Sequence, residues 1–136
     1  MTQLVSPDES DIVDRDAIAA IYGDTAVVGA LSNDATSENH HGAVLVFVRD
    51  GDSDGEWIRQ AKLLPPDDGD GGAESAFFGR SGLRIHEDTI VVGAYGDGGG
   101  EGGGGCPGTN SGSAHVFVFE GGDEEGTFAW AHWAKL

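Results

Sequence analysis

The chain has 136 residues, 38% of them hydrophobic, enough for one ordinary domain with a core. Its formal net charge is −17, from 24 acidic against 7 basic side chains, and such a surface repels phosphate backbones and excludes nucleic acid as a partner. No apolar run reaches the roughly 18 residues of a membrane-spanning helix, and no basic region followed by an apolar stretch marks a signal peptide.

In chain order, the predicted elements form two sets of four short strands with no helical periodicity. Residues 1–13 read as the tail of a preceding unit and a linker, because Leu4-Val5-Ser6-Pro7-Asp8-Glu9 matches Leu63-Leu64-Pro65-Pro66-Asp67-Asp68. The first unit, 14–64, has strands predicted at 17–21, 25–30, 43–49 and 56–63. An acidic, Gly-rich linker follows at 65–77. The second unit, 78–136, repeats the set at 80–86, 89–94, 113–119 and 128–136. Leu4, Leu63 and Leu136 stand at one phase of the cycle. The expectation is therefore a slice of something longer, or a protomer that completes its architecture by association.

The repetition is explicit in the residues. Gly23-Asp24-Thr25-Ala26-Val27-Val28-Gly29-Ala30 recurs as Glu87-Asp88-Thr89-Ile90-Val91-Val92-Gly93-Ala94, offset by 64. Gly42-Ala43-Val44-Leu45-Val46-Phe47-Val48 recurs as Gly112-Ser113-Ala114-His115-Val116-Phe117-Val118, offset by 70. Trp57 with Gln60-Ala61-Lys62-Leu63 recurs as Trp130 with Trp133-Ala134-Lys135-Leu136, offset by 73. The offset grows only inside Gly-rich and acidic stretches, so insertions fall in loops while apolar segments hold register. That is the signature of a stacked supersecondary unit.

Continuous apolar runs such as Val44-Leu45-Val46-Phe47-Val48 imply strands buried on both faces, whereas the charged fourth segments suit an outer edge. Short turns join the first and second strands, and the third and fourth, as antiparallel hairpins. Four antiparallel strands per unit, repeated radially, describe a β-propeller blade. The predicted fold is thus all-β: two four-stranded antiparallel blades, part of a larger or oligomer-completed propeller. Two blades alone are expected to expose one face of Val44–Val48. The long connections 31–42 and 95–112 are the places where recognition would sit.

With Phe78-Gly79-Arg80-Ser81 followed by Val91-Val92-Gly93-Ala94, the sequence resembles the FG-GAP repeat, the blade unit of integrin α-chain propellers and related bacterial and archaeal proteins. The wider motif order looks like the prokaryotic form and spans nearly the whole chain. The first unit departs from the pattern, with Asp14-Arg15 at the Phe-Gly position. Leu31 and Tyr95 stand where proline follows Gly-Ala. The resemblance implies an extracellular or cell-surface binding or adhesion scaffold that recognises protein or glycan and is not an enzyme. It also raises calcium, but the alternating Asp and Asn loop that would hold the ion is not present. The only acids between Gly79 and Val91 are the adjacent Glu87 and Asp88, and Asp16 and Asp24 are too sparse to supply the several oxygens required. No cofactor or metal is expected.

Candidate chemistry is thin. The binding residues expected in the two long loops are Asn33, Asp34, Glu38 and His40, then Asp97 and Glu101. His40-His41 lacks a second ligand cluster with zinc spacing. His115 reads as a packed, hydrogen-bonded core residue, and neither His86 nor His132 has an obvious partner. No G-x-S-x-G elbow occurs, and 96–105 lacks the Lys-Ser/Thr ending of a phosphate loop. Cys106 is alone and forms no intrachain disulfide. Trp57, Trp130 and Trp133 are expected to seal blade against blade, with sugar stacking the other use of such residues. The alternative functions are a module, catalytic or not, of a secreted carbohydrate-active hydrolase, with Asp34 and Asp97 at its active face, or a truncated propeller without independent function.

The acids are spread through every loop, which suits a fold adapted to high salt, where charge interactions are screened within ~3 Å at 1 M. The melting temperature is accordingly expected to climb steeply as KCl or NaCl is added, and a flat response would defeat this reading.

Overall fold

A computed structural model describes residues 11–12, 17–32, 41–51, 55–65, 78–94, 112–122 and 128–136. The described residues form nine strands and no helix. They are β1 (Asp11–Ile12), β2 (Ala19–Tyr22), β3 (Thr25–Ser32), β4 (His41–Arg49), β5 (Trp57–Leu63), β6 (Leu83–His86), β7 (Thr89–Ala94), β8 (Ser113–Gly122) and β9 (Phe128–Lys135). All pairings are antiparallel. One sheet runs β2-β3-β4-β5, with the two-residue β1 beside β2 on the same edge of β3, and the other runs β6-β7-β8-β9. The repeat in the sequence is therefore a repeat of whole sheets.

The register follows the sequence offsets. Ala20 pairs with Val27, Val27 with Val46 and Val46 with Ala61, while Arg84 pairs with Val91, Val91 with Val116 and Val116 with Ala134. Each sheet carries a bulge at the same point. Gln60 is skipped between the Val46–Ala61 and Phe47–Arg59 pairs, and Trp133 between the Val116–Ala134 and Phe117–His132 pairs. An extra residue sharpens the local twist and re-aims the edge strand.

The two sheets stack face to face. Val27, Val44, Val46 and Leu63 of the first share one core with Leu83, Ile85, Ile90, Val92, Ala94 and Phe117 of the second. Within this seam β6 crosses β2 and β3, and β9 touches β5. A second, smaller core lies on the opposite face of the first sheet, where Ala26, Val28, Ala30, Leu45 and Phe47 are joined by Ala17 and Trp57.

That second core corrects the expectation that one face of Val44–Val48 stands open. Val44, Leu45, Val46 and Phe47 are all buried, the even-numbered pair in the seam and the odd-numbered pair in the smaller core. On the outer side of the second sheet Val91 is exposed, while Val116 beside it is buried. The tryptophans also divide. Trp130 packs on the seam and donates its indole N–H to Gln60 Oε1 at 3.1 Å, linking the sheets. Trp57 covers its own sheet beneath the Arg49 guanidinium, 4.9 Å from the ring centroid. Trp133 is exposed.

Candidate functional site

The seam is organised by one turn. Phe78 is fully buried and meets Phe117 and His115 edge to face, with centroids 6.0 and 5.5 Å apart. Gly79 adopts φ 77°, a left-handed conformation that a side chain resists, and its backbone N–H donates to Gly93 O at 2.9 Å. A Cβ on Gly79 would stand 2.7 Å from Val44 Cγ2, and Cβ atoms on Gly29 and Gly42 would strike the carbonyls of Gly79 and Phe78. Three glycines thus let the Phe78-Gly79 backbone lie directly on the first sheet.

This turn also fixes where the long loops begin and end. Ser32 pairs with His41 across the base of the first loop, and Ala94 with Ser113 across the second. Gly42 and Gly93 both touch the Phe78–Gly82 segment, so the two loop bases flank one turn on one side of the molecule. The expected binding residues Asn33, Asp34, Glu38, His40, Asp97 and Glu101 lie outside the described residues, as does Cys106.

Beside the second loop base runs a polar chain inside the seam. Ser113 Oγ is 3.0 Å from His115 Nε2, and His115 Nδ1 is 3.2 Å from His132 Nε2. In a neutral His115 one ring nitrogen donates and the other accepts, so both neighbours are served. His115 is therefore the packed, hydrogen-bonded residue expected from sequence. His132 corrects its expectation: it partners His115 and lies 5.3 Å from the Phe117 centroid. His86 likewise has a neighbour, Tyr22, at 4.8 Å across the seam. Phe78 packs on His115, and the half-buried Ser113 and exposed His132 satisfy the ring nitrogens of this one buried histidine.

The opposite end of the second sheet has a shallow hollow of about 480 Å³ lined by 84–89 and Val91. Arg84, His86, Glu87 and Asp88 bring charged and polar groups to its lining, and Arg84 donates to Leu83 O at 2.9 Å. Among the described residues no three His, Cys, Asp or Glu side chains gather to hold a metal ion, and no helix is long and apolar enough to cross a membrane.

Two four-stranded antiparallel sheets, stacked in the same sense and plugged by a Phe-Gly turn, are blades of the β-propeller class. Residues 57–117 match the model of the FG-GAP repeat. No curated protein and no solved structure gives a significant match. The matched span begins on β5 of the first sheet and ends within β8 of the second, so the family unit straddles both sheets.

Proposed function

We propose that the protein is a non-enzymatic binding or adhesion scaffold working outside the cell, which holds a protein or glycan partner through loops 31–42 and 95–112. One observation carries this: the bases of both long loops flank the rigid Phe78-Gly79 turn on one side of stacked sheets. Binding residues concentrate on loops that a stiff body positions, and the seam supplies that stiffness. FG-GAP repeats build propeller modules that generally serve extracellular binding, which supports the same reading. The contacts of the buried His115 with Ser113 and His132 have a structural use, so no catalytic group is assigned.

Protein and glycan arrays probed in molar salt test the proposal. The expected result is a ligand whose binding falls about tenfold or more on Asp34→Ala or Asp97→Ala, as loss of a charge-assisted hydrogen bond would give, with the melting temperature unchanged. Turnover of a glycan that disappears with Asp97→Ala would replace the scaffold by the hydrolase alternative.

A further inference from the structure

Leu45 and His115 occupy the same place in their two sheets, each paired in register with a lysine, Lys62 and Lys135, and each is buried. The first sheet fills that place with hydrocarbon, whereas the second fills it with a ring that can take up a proton. Burying such a ring where leucine fits costs stability unless its nitrogens are hydrogen-bonded, and Ser113 and His132 supply the two bonds. Ser113 also pairs with Ala94 at the base of loop 95–112, and His132 lies on β9, the outermost strand of the sheet. His115 therefore ties an edge strand to a loop base.

The bonds limit how many protons this cluster holds. The 3.2 Å gap between His115 Nδ1 and His132 Nε2 has room for a single hydrogen. With both rings neutral, one nitrogen of the gap donates and the other accepts. One added proton is accommodated with the charge on the exposed His132 ring: His132 Nε2–H donates to His115 Nδ1, and His115 Nε2–H donates to Ser113 Oγ. No bond is lost. The next proton can enter only at His115 Nδ1, the atom that accepts from His132. It would set two N–H groups against each other and bury a cation with its centroid 5.3 Å from a second one. Of the elements around the ring, β7 presents Val92, the Phe-Gly turn presents Phe78 with Arg80 just beyond Gly79, and β9 presents His132 and Lys135. The charged groups among these are all cationic, so none of them offsets the second charge.

We infer that Ser113, His115 and His132 form an acid-sensitive latch, which holds β9 against β8 and steadies the base of loop 95–112 in neutral solution and releases both in acid. The direction follows from the proton count. With β9 released, His115 meets water and takes up a proton near the ordinary histidine value of about 6.5. The closed sheet resists that proton, so it binds fewer protons than the released form and loses stability as the pH falls. The contribution of the latch is whole above about pH 6.5 and shrinks below it. Release also strains the link between the sheets, because Trp130, which donates to Gln60, lies on the same strand as His132.

Chemical denaturation in molar KCl from about pH 8 to about pH 5 tests the latch, a range in which carboxylates of ordinary pKa, about 4, stay charged. The unfolding equilibrium constant should rise roughly tenfold for each pH unit below about 6, the slope of one proton. His115→Leu, which installs the residue of the first sheet, should remove that rise. His132→Gln changes an exposed residue, and its amide oxygen accepts from His115 Nδ1–H whether or not the ring is charged, so the rise should shrink there too. His86→Gln, at the other end of the sheet, should keep it in full. Amide exchange locates the release: relative to β4 in the same sample, β9 should exchange about tenfold faster near pH 5.5 than near pH 7.5, and should not do so in His115→Leu. A flat wild-type profile, an equal rise in His115→Leu and His132→Gln, or β9 opening no more than β4 would overturn the latch. Array binding in neutral solution is untouched by any of these results, so loop recognition stands or falls separately.

Discussion

Replacing Phe78 with alanine is expected to cost about 3–5 kcal/mol, the range for truncating a fully buried phenylalanine. Phe78 is fully buried, belongs to the core shared by both sheets, and meets Phe117 and His115 through its ring edge. The loss therefore removes apolar transfer energy and two aromatic contacts, and leaves a void bordered by two rigid sheets. Total stability of a domain is ~5–15 kcal/mol, so the variant would sit near the threshold of folding. Chemical denaturation in molar salt would measure it, and the melting temperature should fall by about 10–20 °C. A change below about 1 kcal/mol would mean that the Phe-Gly turn does not hold the sheets together.

Gly42→Ala should cost nearly as much, by the opposite mechanism. The added methyl would overlap the Phe78 carbonyl and lie 2.7 Å from both its carbonyl carbon and its nitrogen. Backbone cannot swing aside as a side-chain tip can, so the sheets must part locally. Overpacking of this kind costs about 3 kcal/mol at the upper end of its range. Gly51→Ala is the control, because nothing lies within 4 Å of its Cβ position, and it should stay within about 0.5 kcal/mol of the parent. Equal denaturation midpoints for Gly42→Ala and Gly51→Ala would show that the close approach is unimportant.

The strands were legible because their signal is strong. Predicted strands 25–30 and 43–49 correspond to β3 and β4, and 89–94 to β7 without change, since runs of valine bounded by glycine leave few alternatives. The two-residue β1 gave no period to detect and fell inside the expected linker. The stacking of whole sheets could be read from the offsets, but not which face stays open. Sequence shows that Val44–Phe47 is apolar throughout, whereas its burial depends on Trp57, Ala17 and the smaller core. The partnership of His115 with His132 was hidden for a geometric reason. Bulges on both sides of Phe117 shift the register of β8 against β9, so simple counting does not bring those residues to one face. The long loops in which binding residues are expected stand out by their length, and the structure adds the positions of their bases.

The straddling of both sheets by residues 57–117 bears on how such an array grows. A module that starts with the outermost strand of one blade and finishes inside the following blade acts as a covalent strap. Tandem copying at that phase delivers, with each newcomer, the strand that completes its predecessor. Each added unit closes the blade before it and leaves its own last blade to be closed by the next, and neighbouring blades stay tethered by the polypeptide as well as by their packed side chains.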